Sequence, residues 1–312
     1  MDETGVLLMA YGSPDTLENV GKYYTNIRGG RVPSYSEVET LKNRYIAIGG
    51  KSPLLGITLD QARMVQEYLS SSSSAKFRIY VGMKHWEPFI EESIKKMHND
   101  GINNAIGMVL APHHSSMSIS EYERRILSVQ GNLKIDFVQS WNRDHGFLCA
   151  VAGKIRKAAE KFQEAGLDGI QIVFTAHSLP EKIVYDGDDY VAQLLESCIG
   201  IAKILDLKRW RLAYQSAPRC PKEKWLGPDL KETLSELMDD GKNDILICPI
   251  GFVSDHLEVL YDIDIEAKAL ADSHDARLIR TESLNTSPDF IAAIGEIIKS
   301  RQPNFKHDTS LT

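Results

Sequence analysis

Two short segments carry side chains that together could move a proton and hold a cation. His177 follows the apolar run Ile-Val-Phe-Thr-Ala, and Glu258 follows Ile-Cys-Pro-Ile-Gly-Phe-Val-Ser-Asp-His-Leu. Each run is typical of a buried strand that ends in a loop. An imidazole that titrates near neutrality can act as a general base, and a carboxylate is a hard anionic ligand. The pair predicts proton removal from a substrate, delivery of a metal ion to it, or both.

Glu258 also begins a row of carboxylates. Glu258, Asp262 and Glu266 are spaced four residues apart, and no Lys or Arg lies between Cys248 and Lys268. On a helix this spacing places all three on one side, where like charges repel. One hypothesis is a track or secondary site for a hydrated divalent cation such as Mg²⁺, or a proton relay. The alternative is a solvated acidic face, and the spacing leaves both open.

A second group of candidate residues lies near the amino terminus. Tyr11 ends an apolar run, where a phenol could stack, donate a hydrogen bond or ligate iron. More than about sixty residues then separate the first two strand-like runs, far more than a βαβ crossover needs. This insertion supplies Arg28, Arg44, Tyr45 and Ser52. Guanidinium groups bind carboxylates bidentately, so the set suits a flat, acidic, aromatic ligand. Surface ion pairs are the alternative interpretation.

The elements that must position these residues alternate along the chain. Apolar, β-branched runs begin at Val6, Phe77, Ala105, Ile135, Gln171, Arg211 and Ile245, with a weaker one near Ala276, and amphipathic helical segments separate them. This order predicts βαβ units and parallel sheets covered by helices. We expect two Rossmann-like lobes, residues 1–150 and 151–312, with an active-site cleft between them. Whether the last helix crosses back to the first lobe stays open.

Composition narrows the class of protein. The 312 residues carry a net charge of −7, with 43% hydrophobic and 25% charged residues, as in soluble globular proteins. The charge argues against a broad nucleic-acid surface, and no apolar run is long enough to predict a transmembrane segment. The start lacks the pattern of a secretory signal, so a cytoplasmic location is expected. The four cysteines form no Cys-x-x-Cys pair, which favours reduced, structural thiols.

The motifs around these residues resemble those of the ferrochelatases, which insert Fe²⁺ into a porphyrin. Phe-Thr-Ala-His177-Ser-Leu-Pro and Gly-Phe-Val-Ser-Asp-His-Leu-Glu258-Val-Leu-Tyr-Asp are similar to the two active-site signatures of that family. Tyr-Gln215-Ser216 followed by Trp225-Leu-Gly-Pro-Asp229 is similar to a third. The resemblance covers most of the chain. It implies a lyase of heme biosynthesis in which His177 and Glu258 bind the incoming iron and handle the pyrrole protons.

Within that family the chain more closely resembles the bacterial coproporphyrin type, through Met-Ala-Tyr11-Gly-Ser-Pro, Tyr-Tyr-Thr-Asn-Ile-Arg28 and Asn-Arg44-Tyr45-Ile-Ala-Ile-Gly-Gly. The resemblance implies that Tyr11 is an axial ligand of the product iron. It also implies that the porphyrin and its propionates are contacted by Arg28, Arg44, Tyr45, Ser52 and Tyr122. Two departures stand out. Gly29 replaces a second arginine of some relatives, and the basic loop 217–224 could alter porphyrin selectivity.

The combined prediction is iron insertion into coproporphyrin III. The substrates are porphyrin and Fe²⁺; no cofactor is permanently bound, and no iron–sulfur cluster is expected because the tail has no cysteines. A monomer that exchanges with an iron donor and a downstream heme-pathway enzyme is expected. The alternatives are a protoporphyrin IX ferrochelatase, a sirohydrochlorin-type chelatase and a non-catalytic tetrapyrrole-binding protein.

Overall fold

The chain forms two compact α/β units in a computed structural model that describes residues 3–218 and 223–302, apart from the side chains of 163–165. One unit comprises the described residues up to Gly146 together with those from Asn285 onward, and the other comprises Phe147–Leu284. Each unit contains one four-stranded sheet.

The sheet of the first unit is parallel, with the strand order β2-β1-β3-β4. Its strands are β1 (Thr4–Ala10), β2 (Phe77–Met83), β3 (Asn104–Val109) and β4 (Lys134–Val138). Every residue of β1 is buried, as expected for a central strand with helices on both faces. All four strands end at the same edge, so the residues that follow β1 and β2 come together there.

Five helices connect these strands. The insertion after β1 holds α1 (Val20–Ile27), α2 (Tyr35–Ala47) and α3 (Leu54–Ser72), and the later crossovers are α4 (Ile90–Asn99) and α5 (Ile119–Val129). Helix α2 begins at a capping box, in which Ser34 and Glu37 satisfy each other's backbone N–H groups. The long insertion is therefore helical, which gives its arginines and tyrosines fixed positions.

The second unit repeats the design with the strand order β6-β5-β7-β8, again parallel. Its strands are β5 (Gln171–His177), β6 (Arg211–Gln215), β7 (Asp244–Pro249) and β8 (Arg277–Arg280). Its helices are α6 (His145–Ala159), which continues into a short 3₁₀ helix, α7 (Gly166–Gly169), α8 (Lys182–Tyr185), α9 (Tyr190–Leu205) and α10 (Leu230–Asp239). The central strand β5 has an unbroken buried interior, Ile172–Ala176, and ends at a half-buried His177.

After β7 a loop leads to Glu258, and a π-helix, Val259–Ala267, begins at the next residue. This helix continues into α11 (Lys268–Asp272). Its i→i+5 hydrogen bonds give wider turns than an α-helix, a rare geometry that is frequent at functional sites. The final helix, α12 (Pro288–Arg301), packs on α3 of the first unit, where the Tyr68 hydroxyl donates to Glu296 at 2.6 Å.

The α/β class with parallel sheets flanked by helices is confirmed, and each of the eight expected strands is present. The division into 1–150 and 151–312 stays a prediction; in the structure residues from Asn285 onward group with the first unit. Within 3–218 and 223–302, no helix combines the length and apolar character needed to cross a bilayer.

Candidate active site

His177 is held rigidly at the carboxyl end of β5. Its carbonyl accepts a hydrogen bond from the Tyr190 hydroxyl at 3.0 Å, and the next residue, Ser178, donates its backbone N–H to Gln215 of β6 at 2.8 Å. The imidazole Nδ1 contacts the Ser178 carbonyl. Because a carbonyl only accepts, Nδ1 carries a hydrogen and the other ring nitrogen, Nε2, is left to face the site.

Glu258 lies between two histidines. Its Oε1 is 3.6 Å from Nε2 of His177, and its Oε2 is 3.5 Å from Nε2 of His256. The His256 ring is oriented in the same way as that of His177, since its Nδ1 lies 3.0 Å from the Ser254 carbonyl. The ring of Phe252 is close to both imidazoles, with centroids 4.5 Å from His256 and 6.5 Å from His177. The two segments identified from the sequence therefore meet at one carboxylate.

A close backbone approach places this loop. The Gly251 N–H donates to the Thr175 carbonyl of β5 at 3.2 Å, and a Cβ at position 251 would lie only 2.9 Å from that of Ala176. Real Cβ atoms essentially never come that close, so a side chain here would push the segment leading to Glu258 away from β5. Gly251 thus lets the second segment reach His177.

The carboxylate changes the protonation of its neighbour. Burial lowers the pKa of His177, but the negative charge of Glu258 and the contact with the Ser178 carbonyl outweigh it and raise the pKa to about 9. Burial correspondingly raises the pKa of Glu258, and the two imidazoles outweigh it and hold that pKa well below its ordinary value. The expected near-neutral pKa of His177 is therefore wrong: both ring nitrogens face acceptors, which favours the doubly protonated ring.

The other two carboxylates of the row have their own partners. Asp262 is buried and accepts a hydrogen bond from the Ser216 hydroxyl, while Glu266 forms an ion pair with Lys231 of α10 at 2.8 Å. Slightly more than four residues fill each turn of a π-helix, so positions four apart stay on the same side. The sequence segment lacks a basic residue, but the fold brings Lys231 to it from another helix.

In the first unit, the ends of β1 and β2 bring Tyr11 beside Lys84 and His85. The two chains stay hydrogen-bonded beyond the strands, with Lys84 N–H to the Ala10 carbonyl and His85 N–H to the Tyr11 carbonyl, both 2.9 Å. The ring centroids of Tyr11 and His85 are 4.6 Å apart. Gly12 has φ +92°, and a Cβ there would touch the Trp86 backbone nitrogen at 3.0 Å, so this turn requires glycine.

Tyr122 contributes from α5 to the same group. The Lys84 ammonium lies 5.8 Å from the Tyr11 ring centroid and 5.3 Å from that of Tyr122, and it pairs with Glu121. Tyr11 is 43% exposed whereas Tyr122 is buried, so only the first phenol is widely open to a ligand. Burial lowers the pKa of Lys84, and it also lowers that of His85, to about 4.

The insertion places the four remaining candidates on or beside its helices. Arg28, just after α1, pairs with Glu37 at 2.7 Å. Arg44 and Tyr45 lie in the last turn of α2, where Tyr45 is buried. The hydroxyl of Ser52 accepts the Leu54 N–H at 3.3 Å at the start of α3.

The predicted site residues did not include His256, Lys84 or His85, although Lys84-His85 is one of the segments through which the chain resembles the coproporphyrin type. Each stood within or next to a recognised motif, but whether its side chain points toward the site cannot be inferred from sequence. Cys198 and Cys248 are buried and Cys149 is exposed. Cys220 and part of the basic loop 217–224 lie outside the described residues.

Comparison with known proteins identifies the family of this chain. The family model described as Ferrochelatase matches residues 3–302. A protein named Ferrochelatase from Herpetosiphon aurantiacus is 40% identical over 95% of this chain and 98% of its own length. A Coproporphyrin III ferrochelatase from Geobacillus kaustophilus is 41% identical over 95% of each. A sirohydrochlorin chelatase, SirB from Bacillus subtilis subspecies spizizenii, shares the fold with a TM-score of 0.58 at 14% identity, over 99% of this chain and 98% of its own. The chain therefore belongs to the ferrochelatase family.

Proposed function

We propose that this ferrochelatase inserts ferrous iron into coproporphyrin III. The observation that carries the proposal is the Glu258 carboxylate, which has one oxygen near Nε2 of His177 and the other near Nε2 of His256. The coproporphyrin substrate is supported by the names of several relatives, including that from Geobacillus kaustophilus. The reaction takes up Fe²⁺, releases two pyrrole protons and leaves the metal bound to four ring nitrogens.

His177 and Glu258 are the proposed ligands of the incoming ion. Two metal–ligand bonds of about 2.1 Å that meet at a tetrahedral angle separate the ligand atoms by roughly 3.4 Å. The observed separation of 3.6 Å is close to that span. In the described part of the chain no three His, Cys, Asp or Glu side chains are spaced as a ready-made metal site. The pair supplies two ligands, and a transferred ion takes the others from water and from the porphyrin.

Binding of the metal ion changes the protonation of His177. At about pH 7 a group with a pKa of about 9 is protonated in roughly 99 of 100 molecules. A dication on Glu258 cancels the negative charge that keeps this proton on His177, so the imidazole releases the proton to water and Nε2 can bind the ion. When the ion passes to the porphyrin, the same nitrogen is free to accept a proton from a pyrrole nitrogen. Proton removal is thus coupled to transfer of the metal.

The residues of the first unit are the proposed porphyrin contacts. Arg28, Arg44, Tyr45, Ser52 and Tyr122 bind the ring and its propionates, and Tyr11 approaches the inserted iron. The Arg28 side chain is 31% exposed in its ion pair with Glu37, so a propionate can reach the guanidinium without unfolding α1 or α2. Asp262 and Glu266 are the proposed acidic route, along which a hydrated cation reaches the site or protons leave it.

The test is steady-state metal insertion by the purified protein with coproporphyrin III, protoporphyrin IX and sirohydrochlorin side by side under anaerobic conditions. We expect turnover to be fastest with coproporphyrin III. Faster turnover of protoporphyrin IX would assign the protein to the protoporphyrin IX ferrochelatases. Stoichiometric binding without turnover would refute catalysis. The absence of an iron–sulfur cluster, the secondary site for a cation such as Mg²⁺, the cytoplasmic location, the monomeric state and the exchange with an iron donor and a downstream enzyme stay predictions.

A further inference from the structure

Arg280 joins the two segments that flank Glu258. It stands at the end of β8, and its side chain is only 13% exposed. Its Nε and Nη2 contact the two carboxylate oxygens of Asp264 at 2.7 and 2.8 Å, and its Nη1 contacts Asp255 at 3.1 Å. One guanidinium therefore bridges two carboxylates through three hydrogen bonds.

Those two carboxylates lie on either side of Glu258 in the chain. Asp255 comes three residues before it in the loop after β7, and Asp264 comes six residues after it within the π-helix. Asp255 also accepts the Ser283 hydroxyl at 2.7 Å. Arg280 itself belongs to the sheet, since Thr281 donates its N–H to the Ile247 carbonyl of β7 at 2.9 Å. The bridge thus attaches both flanks of Glu258 to a rigid strand.

We propose that Arg280 is a positioning residue for metal insertion, which keeps the Glu258 carboxylate in reach of His177 by fixing Asp255 and Asp264. The inference rests on the proposed function of Glu258. The Arg280 guanidinium donates its hydrogen bonds to Asp255, Asp264, Ser283 and the Thr281 carbonyl, not to Glu258 or His177, so it acts through the backbone on either side of the carboxylate. A displacement of about 1 Å at a reacting group costs up to roughly 100-fold in rate.

The planar fork of arginine is required for this role. Lysine would keep the positive charge, but its ammonium is a single point and cannot hold Asp264 bidentately while it also reaches Asp255. Substitution by lysine therefore removes the geometry of the bridge and leaves the local charge balance in place.

The experiment compares R280K with R277K. Arg277 is the matched control, because it lies on the same strand and binds Asp244 bidentately at 2.9 and 2.8 Å, at the opposite end of β8. For each variant, kcat and KM for the metal are measured at saturating porphyrin, together with the porphyrin Kd and the melting temperature. We expect R280K to lose about 10–100-fold in kcat/KM for the metal, with a porphyrin Kd within about twofold of wild type. R277K should keep kcat/KM for the metal within about twofold.

A second variant, D264N, breaks the same bridge from the π-helix and provides the test if R280K does not fold. We expect it to lower kcat/KM for the metal in the same way, and the double variant to be little worse than the poorer single variant, because both remove one interaction. The role is refuted if R280K matches R277K in metal kcat/KM, or if the loss falls on the porphyrin Kd.

E258Q separates this inference from the function on which it rests. Loss of insertion in both E258Q and R280K supports the positioning role. Loss in E258Q with normal insertion in R280K and D264N overturns the positioning role alone. A wild-type protein that did not insert iron would overturn the proposed function and the inference with it.

Discussion

Replacing Glu258 with Gln should remove the charge that keeps His177 protonated. The rise of the His177 pKa from 6.5 to about 9 corresponds to about 3 kcal/mol of net stabilisation of the protonated imidazole, at about 1.4 kcal/mol per pKa unit. This is an upper value, because 30% of the His177 side chain and 32% of the Glu258 side chain are exposed and water screens the pair. Without the carboxylate only burial remains as a large influence, so the His177 pKa in Glu258→Gln should fall below 6.5.

The sign of the pH dependence follows from the raised pKa. The stabilisation is complete below pH 6.5 and is lost as the pH rises through about 9. We therefore expect the difference in free energy of unfolding between wild type and Glu258→Gln to shrink by up to about 3 kcal/mol over that interval. Urea denaturation at both ends of the interval measures the difference, and NMR titration of the His177 ring measures its pKa directly.

Glu266→Gln is the control for this prediction, because Glu266 lies on the same π-helix but pairs with Lys231. It should leave the His177 pKa near 9. If the wild-type imidazole titrated near 6.5, or if Glu258→Gln left its pKa unchanged, the electrostatic account of the pair would be refuted.

Three further predictions follow from named contacts. His177→Ala should reduce metal insertion by roughly 10²–10⁴-fold. It should leave porphyrin binding, measured by fluorescence quenching, nearly unchanged; activity within a few-fold of wild type would exclude His177 as the base. Arg28→Ala and Arg44→Ala should each raise the porphyrin KM more than they lower kcat, because a charge-assisted hydrogen bond of about 1.5–3 kcal/mol to a propionate is lost. A loss of kcat at unchanged KM would instead assign that arginine to the chemistry. His85 has a pKa lowered by burial from 6.5 to about 4, so the stability it contributes is present above pH 6.5 and is lost as the pH falls through about 4. Wild type should therefore lose about 3 kcal/mol more than His85→Gln between those pH values in urea denaturation, and equal losses would contradict the assignment.

The sequence predicts the strands well because each is a short, nearly continuous apolar run, as strands buried on both faces must be. β5 and β7 illustrate this, since the expected runs starting at Gln171 and Ile245 coincide with them to within one residue at the start. The same pattern predicts that Tyr11 and His177 lie at the carboxyl ends of strands, where open parallel sheets bind their ligands. These features depend on neighbours in sequence.

Features that depend on contacts between residues far apart in the chain could not be predicted from the sequence. The spacing of Glu258, Asp262 and Glu266 is compatible with both α and π hydrogen bonding, so the type of helix was open. The ion pair of Glu266 with Lys231 joins two helices, and the pKa of His177 depends on a carboxylate far along the chain. The second imidazole at Glu258, that of His256, is oriented by a backbone carbonyl that no sequence pattern reveals.

The proposed ligand pair of His177 and Glu258 also bears on which metals the protein accepts. An imidazole and a carboxylate are of intermediate to hard character, so they favour divalent ions of the first transition row over soft ions that prefer sulfur. The buried thiols Cys198 and Cys248 do not alter this preference, because burial raises the pKa of each and keeps the thiol protonated. Within the row, nitrogen and oxygen ligands bind Cu²⁺ and Ni²⁺ more tightly than Fe²⁺, following the Irving–Williams order. Preference for iron therefore has to arise from which ion is supplied to the protein, and contaminating zinc or cobalt would compete for the same pair.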